Sequence, residues 1–238
     1  NTLDPGIAVA FGSLNSELWA LTPALLQQLR ADYEVATALC LKLGKRSCKE
    51  LREAKMVVWI NKGLSGTDLA TLGTLGSALP ALQVLYIWEP AAGPDGVQRL
   101  AEKLGAGALP AVTVVHLSDM HVGDAGASAL AAALGRGALP RLKQITFGNC
   151  ATAIGDAGLV ALAPALRRRP ALEELGLMDN PLGDEGLAAL VAPPPPAGTP
   201  PLPAGGLKEL ELLDLNFTQI ADAGCAALGA ALDSGALP

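Results

Sequence analysis

The chain has 238 residues, of which 50% are hydrophobic and only 3% are aromatic, so its core must be built from aliphatic side chains. Ordinary globular domains draw on a wider set of apolar residues, and a composition this narrow indicates an internal repeat. The net charge of -6 argues against a nucleic-acid-binding protein, because such proteins neutralise phosphates with an excess of Lys and Arg. No stretch is long and apolar enough to cross a bilayer, so no transmembrane segment is expected.

Residues 1–50 do not repeat and are expected to form a helical N-terminal cap, because the first unit of a repeat array would otherwise expose its apolar edge. Thr22-Pro23 is a helix-start signal. The apolar residues that follow predict two short helices, over Pro23–Arg30 and Asp32–Leu43. The first residues lack the basic start, apolar run and cleavage site of a secretory signal.

A short motif in this segment suggests an alternative role. The residues LTPALLQQL, followed by Asp32 and by Leu39-Cys40, resemble an F-box, although the aromatic residue usual after the Cys is absent. The resemblance implies helices that recruit a ubiquitin-ligase adaptor, which would make the chain a substrate receptor. A structural cap is the simpler interpretation.

Residues 41–62 carry seven basic and two acidic side chains. This basic segment could contact an acidic partner or the anionic surface of a membrane, as a peripheral contact. A solvated helix face is the simpler interpretation. The candidate contact residues are Lys42, Lys45, Arg46, Lys49, Arg52 and Lys55.

The four cysteines, Cys40, Cys48, Cys150 and Cys225, include no C-x-x-C pair and no His at zinc-ligand spacing. We interpret them as reduced, mostly buried thiols, which indicates an intracellular compartment, either cytoplasmic or the lumen or stroma of an organelle. A disulfide between Cys40 and Cys48 remains an open alternative.

A period of thirty residues follows, marked by prolines at Pro80, Pro110, Pro140 and Pro170. Within the unit that begins at Leu109, apolar residues alternate as in a strand buried on one face. The second part of that unit has helical spacing, with Asp124 as the predicted N-cap and Gly135 and Gly137 as the stop. The inward residues of this unit are Val112, Val115, Leu117, Ala127, Leu130, Ala131 and Leu134. The same template predicts about six units over residues 51–238, and the first, with Val57 and Trp59 inward, is the most degenerate.

The segment LEELGLMDNPLGDEG resembles the leucine-rich repeats of the ribonuclease-inhibitor type, and five units agree with it in spacing. The resemblance implies an α/β, right-handed solenoid shaped like a horseshoe, with parallel strands on the concave face and helices on the convex face. Family members place Asn or Cys three residues after the last inward strand residue. Here Cys150, Asn180 and Thr218 fit that position, whereas Lys62, Pro90 and Met120 depart from it.

A proline-rich insert occupies residues 192–206 and contains two P-x-x-P motifs, which an SH3-like groove could bind in polyproline II form. A low-complexity loop is the simpler interpretation. At the other end, the last residues ALDSGALP supply no polar cap. We therefore expect the final repeat either to dock on something or to continue in a longer protein.

Strand side chains that alternate with the buried ones should line the concave face. Over the first three strands they form an apolar group that is unusual on a monomer. The predicted partner-binding residues are Met56, Val58, Ile60, Val84, Tyr86, Trp88, Val114 and His116. Tyr86 and Trp88 are of the residue types that anchor interfaces. The sequence thus predicts a non-enzymatic protein-interaction module or scaffold that is a subunit of a larger assembly. The alternatives are that the N-terminal segment folds back over the apolar group or that the first unit is out of register.

No catalytic residues, cofactor or metal site are predicted. GDAG and GDEG recur as a structural element would, and neither a dinucleotide-binding nor a P-loop motif is present. His116 and His121, near Asp119 and Asp124, are the one candidate metal cluster. Ran GTPase-activating proteins share this repeat type, which makes a GTPase regulator a further alternative, although no arginine here lies in a pattern specific to that family.

Overall fold

A computed structural model describes residues 27, 31, 33–148, 153–192 and 207–238. Most of the predicted F-box-like motif, Cys150 and nearly all of the proline-rich insert lie outside these residues, whereas Leu39-Cys40 of that motif lies within them. A helix is observed over residues 33–42, within the predicted Asp32–Leu43 helix, and we label it α1. The remaining elements, in chain order, are α2 (Cys48–Glu53), β1 (Met56–Ile60), α3 (Gly66–Leu75), β2 (Val84–Trp88), α4 (Gly96–Lys103), β3 (Val114–Ser118), α5 (Gly123–Gly135), β4 (Gln144–Gly148), α6 (Asp156–Arg167), β5 (Glu174–Gly176), α7 (Asp184–Val191), β6 (Leu212–Asp214) and α8 (Asp222–Asp233). Short 3-10 turns follow α3 and β2, at Gly76–Ala78 and Pro90–Ala92.

The six described strands form one parallel sheet in chain order, β1 to β6. Equivalent residues of successive units stand side by side, so that Val58 pairs with Tyr86, Tyr86 with His116 and His116 with Thr146. The degenerate first unit is therefore in register with the others. The start of each strand is also regular. The carbonyl oxygen of Gln83 accepts hydrogen bonds from the amides of both Thr113 and Val114, and the same arrangement recurs in neighbouring units. The predicted α/β repeat solenoid is confirmed.

The core lies between the sheet and the row of helices, each of which packs on the next from α3 to α8. Inward strand residues such as Val57, Ile87 and Leu175 are buried as the alternating pattern predicts. Alanine at Ala101, Ala127, Ala133 and Ala163 is buried between helices, where a small side chain permits close approach. Among the described residues, the two largest fully buried side chains are Trp59 and Phe147. The composition of the chain thus reflects the requirements of stacking.

The repeated GDxG motif joins successive units through the start of each helix. The prediction that Asp124 is the N-cap of its own helix is wrong, because Val122 holds that position in α5. Asp124 Oδ1 instead accepts from the amides of Gly155 and Gly158, at 2.8 and 2.9 Å, in the next unit. A Cβ on Gly158 would lie 2.5 Å from that oxygen, which explains the second glycine of the motif. Two further pairs repeat the arrangement, Asp156 with Gly183 and Gly186, and Asp184 with Ala221 and Gly224.

Arginine performs a related role at the opposite helix ends. The sequence suggests only a favourable interaction of the Arg167–Arg169 run with the helix dipole. In the structure the Arg169 guanidinium donates to the carbonyl oxygens of Leu134, Ala138 and Leu139 in the preceding unit, at 2.7 to 2.9 Å. Burial lowers the pKa of this guanidinium from its ordinary value. Arg169 therefore links two successive units through hydrogen bonds.

Candidate functional site

The exposed face of the sheet, which we call the strand face, presents the side chains between the buried ones. All eight predicted binding residues lie there, on β1, β2 and β3. We call them the strand-face patch. Met56, Val58 and Ile60 are 58%, 47% and 44% exposed, and the other five are half-buried. Because parallel strands lie about 4.8 Å apart and rise about 3.3 Å per residue, the patch spans roughly 10 by 13 Å of backbone.

The aromatic residues at the centre of the patch are placed by this regular register. Tyr86 stands beside Val58 on one side and His116 on the other. The Tyr86 and His116 rings lie 5.3 Å apart between centroids and are tilted by 38°. Trp88 pairs with Ile60 in β1 and with Ser118 in β3. The patch is thus a continuous surface that crosses three strands.

His116 forms the polar border of the patch. Burial lowers the pKa of its imidazole, and the Glu174 carboxylate opposes this by raising it. The net direction is below the ordinary value of 6.5, so the ring is neutral at neutral pH. The patch therefore presents an uncharged surface to a partner.

Beyond β3 the strand face becomes polar and then acidic. Gln144 and Thr146 on β4 are followed by Glu174 on β5 and Asp214 on β6. Two glycines bring the backbone to this surface, and a Cβ on Gly176 would lie 2.7 Å from Cγ2 of Thr146. The face is therefore apolar over β1 to β3 and polar to acidic over β4 and β5, whereas β6 presents both Asp214 and the 52% exposed Leu212.

A buried carboxylate directly after β2 was missed by the sequence analysis. Glu89 is only 1% exposed and accepts from the amides of Lys62 and Gly63, at 2.6 and 3.2 Å. It thereby holds the turn of the first unit, where Lys62 replaces the expected Asn or Cys. In the fifth unit Asn180 has the same role, because its Oδ1 accepts a hydrogen bond from the Ile154 amide. A charged residue between Trp88 and Pro90 was the available signal.

A second missed residue is Phe217, at the far end of the strand face. It is 85% exposed and has a φ of +56°. The equivalent positions in other units are Asn61, Asp119 and Asp179, which share this left-handed conformation and tolerate it better. An aromatic residue at a turn position that holds Asn or Asp in most other units was the signal in the sequence.

The basic segment is partly neutralised within the chain. Lys42 pairs with Asp68 at 2.8 Å, and Lys45 and Lys49 lie 3.6 and 3.8 Å from carboxylates of α2. Such pairing favours a solvated helix face over a dedicated site for an acidic partner or an anionic membrane. Among the described residues, no helix is long and apolar enough to cross a membrane.

The candidate metal cluster is not assembled. Asp124 is committed to the amides of the next unit, and His121 is exposed on the turn before α5. Across the described ranges, no group of three or more His, Cys, Asp or Glu side chains lies close enough to hold a metal ion.

Comparison with known proteins agrees with this architecture. The family described as Leucine Rich repeat matches residues 110–131, 170–191 and 208–229. Each matched segment covers a strand and much of the helix that follows, so these three units are similar to leucine-rich repeats. Leucine-rich repeats commonly serve as protein-binding modules.

The other comparisons add little to this assignment. No curated protein matches the sequence. Among solved structures, the chain is similar to an internalin (inlF) from Listeria monocytogenes str. 4b F2365, at 13% identity over 82% of this chain and 92% of that one, with a TM-score of 0.19.

Proposed function

We propose that this chain is a non-enzymatic protein-interaction module that binds its partner through the strand-face patch, as a subunit of a larger assembly. The observation that carries the proposal is the exposure of Met56, Val58 and Ile60 beside Tyr86 and Trp88, in a chain with only 3% aromatic residues. A full helix in each thirty-residue unit supports placing the repeats in the ribonuclease-inhibitor type. Free thiols at Cys40, Cys48 and Cys225 support an intracellular compartment.

The energetic reason is the cost of apolar side chains in water. Burying one such side chain completely contributes about 1.5 to 3 kcal/mol, so the three most exposed residues of β1 alone offer several kcal/mol to a partner. Interfaces concentrate their binding energy in a few central residues, with Tyr and Trp enriched among them. Tyr86 and Trp88 are half-buried already, so their side chains lose little freedom on binding.

The change from apolar side chains on β1 to β3 to polar and acidic ones beyond β3 specifies the partner's chemistry. A complementary segment would be apolar where it crosses β1 to β3 and would carry Lys or Arg where it reaches Glu174 and Asp214. Six strands at about 4.8 Å spacing extend the face over about 24 Å, the length of a helix of about 16 residues. Opposite charges across this surface would orient the segment and speed its association.

The test is affinity purification of the full-length protein with quantitative mass spectrometry, followed by binding measurements with the purified partner. The double variant Tyr86→Ser and Trp88→Ser should abolish association. A control variant, Gln144→Ser with Thr146→Ser, changes two strand-face positions on β4, which stand in register with Val84 and Tyr86, and should leave association nearly intact.

Thermal unfolding distinguishes the interpretations. Retained binding by the aromatic double variant would contradict the proposal. Loss of its cooperative melting transition would show that Tyr86 and Trp88 belong to the core, and would equally count against a binding role.

A further inference from the structure

Two of the free thiols lie close together outside the strand-face patch. Cys40 is on α1 and Cys48 is the first residue of α2. The Cys40 thiol donates to Cys48 Sγ, with the two sulfur atoms 3.5 Å apart. Because a disulfide bond is about 2.05 Å long, the sulfurs would have to approach by only about 1.5 Å.

The two thiols share one apolar cavity but differ in their exposure to solvent. Both line an apolar cavity of about 290 Å³ between α1, α2 and the end of the first repeat helix, bordered by Leu51, Leu75 and Leu79. Cys40 is 1% exposed, whereas Cys48 is half-buried. An oxidant from solvent would therefore meet Cys48 first.

We propose that Cys40 and Cys48 are a redox-active dithiol, which hydrogen peroxide converts into an intramolecular disulfide. The Cys48 thiolate attacks one peroxide oxygen; the O–O bond breaks, an S–O bond forms, and the released hydroxide takes up the thiol proton as water. Cys40 sulfur then attacks Cys48 sulfur, the S–S bond forms, and the S–O bond breaks. The hydroxyl group leaves with the Cys40 proton as a second water. The two sulfurs are oxidised and the two peroxide oxygens are reduced.

The order of the steps follows from the state of each thiol. Burial, together with the hydrogen bond to Cys48 and its charge, raises the pKa of Cys40 to about 12, so Cys40 stays protonated at neutral pH. A protonated thiol is a poor nucleophile toward peroxide. In the second step Cys48 is an uncharged sulfenic acid, so its charge no longer raises the pKa of Cys40, and the Cys40 sulfur already lies 3.5 Å from its target while the departing hydroxyl group takes up its proton.

The intervening chain allows the approach. Seven residues separate the two cysteines, and the turn includes Gly44 at a φ of +70°. Closure would tie α1 to α2, which ends two residues before β1. The disulfide would thus fasten α1 to the segment that leads into the most exposed strand of the patch.

The test uses the full chain with Cys150→Ser and Cys225→Ser, which leaves only the pair. Treatment with hydrogen peroxide should lower the intact mass by two hydrogens and block alkylation of both thiols. Trypsin should then release residues 31–42 joined to residues 47–49. Oxidation should raise the melting temperature, and dithiothreitol should reverse the change.

A matched variant adds Cys48→Ser, a change at the more exposed position, and should show neither the linked peptide nor the rise in melting temperature. Any of three results would overturn the proposal: two thiols that remain open to alkylation after peroxide, Cys48 oxidised to the sulfinic acid with Cys40 still free, or a disulfide formed between two chains.

Discussion

Asp156 Oδ1 accepts a hydrogen bond from the amide of Gly186 at 2.9 Å, across the boundary between two repeats. The same oxygen accepts from the amide of Gly183 at 2.7 Å. Gly183 is the N-cap of α7 and Gly186 is its third residue, so both amides lack a partner within the helix. Each repeat in the C-terminal half therefore stabilises the helix start of the next one.

Replacing this carboxylate should destabilise the array. Asp156→Ala removes two charge-assisted hydrogen bonds and should lower the free energy of unfolding by about 2 kcal/mol, measured by urea denaturation. Asp222→Ala is the matched control, because Asp222 also begins a helix but its carboxylate has no hydrogen-bond partner in the described part of the chain. Its effect should stay below about 1 kcal/mol. Equal losses for the two variants would contradict the inter-repeat role.

Two helical glycines should respond oppositely to alanine. A Cβ at Gly73 would collide with the carbonyl oxygen of Leu100 and lie 2.8 Å from Cβ of Lys103, whereas Gly229 has nothing within 4 Å. Gly73→Ala should lower the melting temperature because α3 and α4 must separate. Gly229→Ala should raise stability by about 1 kcal/mol through helix propensity alone. Stabilisation by both changes would show that α3 and α4 can move apart freely.

The turn held by Glu89 provides a third prediction. Glu89→Ala leaves the amides of Lys62 and Gly63 without their acceptor and should cost about 2 kcal/mol in chemical denaturation. Glu89→Gln keeps one acceptor oxygen and should recover part of the loss. Hydrogen exchange at the two amides should accelerate most in the alanine variant; unchanged exchange there would exclude this role for the carboxylate.

Relief of backbone strain should stabilise the turn that follows β6. Phe217→Asn places at a φ of +56° the residue type that Asn61 provides in the first unit. The folded state should gain about 1 kcal/mol, because a β-carbon with a bulky substituent tolerates the left-handed region poorly. Calorimetry measures the gain, and Phe217→Leu should show none. A loss of stability in the asparagine variant would mean that the aromatic ring makes a compensating contact.

The stability of the chain should also depend on the protonation of His116. Burial, opposed by Glu174, holds its pKa below 6.5, so the folded state binds the proton more weakly than the unfolded state. The stability that neutral His116 contributes is fully present above its pKa in the unfolded state. It is lost as the pH falls through about 6.5 toward the lower pKa of the folded state. His116→Gln should therefore melt with a shallower pH dependence between about pH 8 and pH 5.

Thr146→Ser provides the control for this measurement, because Thr146 is the register equivalent of His116 on β4 and does not titrate. It should keep the slope of the parent protein. A parent and His116→Gln variant with identical slopes would show that the ring is equally accessible to protons in both states.

The register and the buried positions were predictable because the thirty-residue period repeats one local pattern. Val57 and Trp59 could be placed inward, and Tyr86 and Trp88 outward, from alternation within a strand. Asp124 was assigned to its own helix because sequence proximity favours a local cap. Its true partners lie in the next repeat, at a distance that only the stacking of units fixes.

The sequence by itself determined that this protein is a stacked α/β repeat and which side chains face out, because each unit must bury one aliphatic stripe to be stable. Tertiary structure alone decided the bonds between units: Asp156 to Gly186, Arg169 to Leu139, Glu89 to Lys62. It likewise decided the approach of Cys40 to Cys48. Such contacts depend on how far adjacent units advance and rotate, and a hydrogen bond or thiol pair tolerates errors of only a few tenths of an ångström.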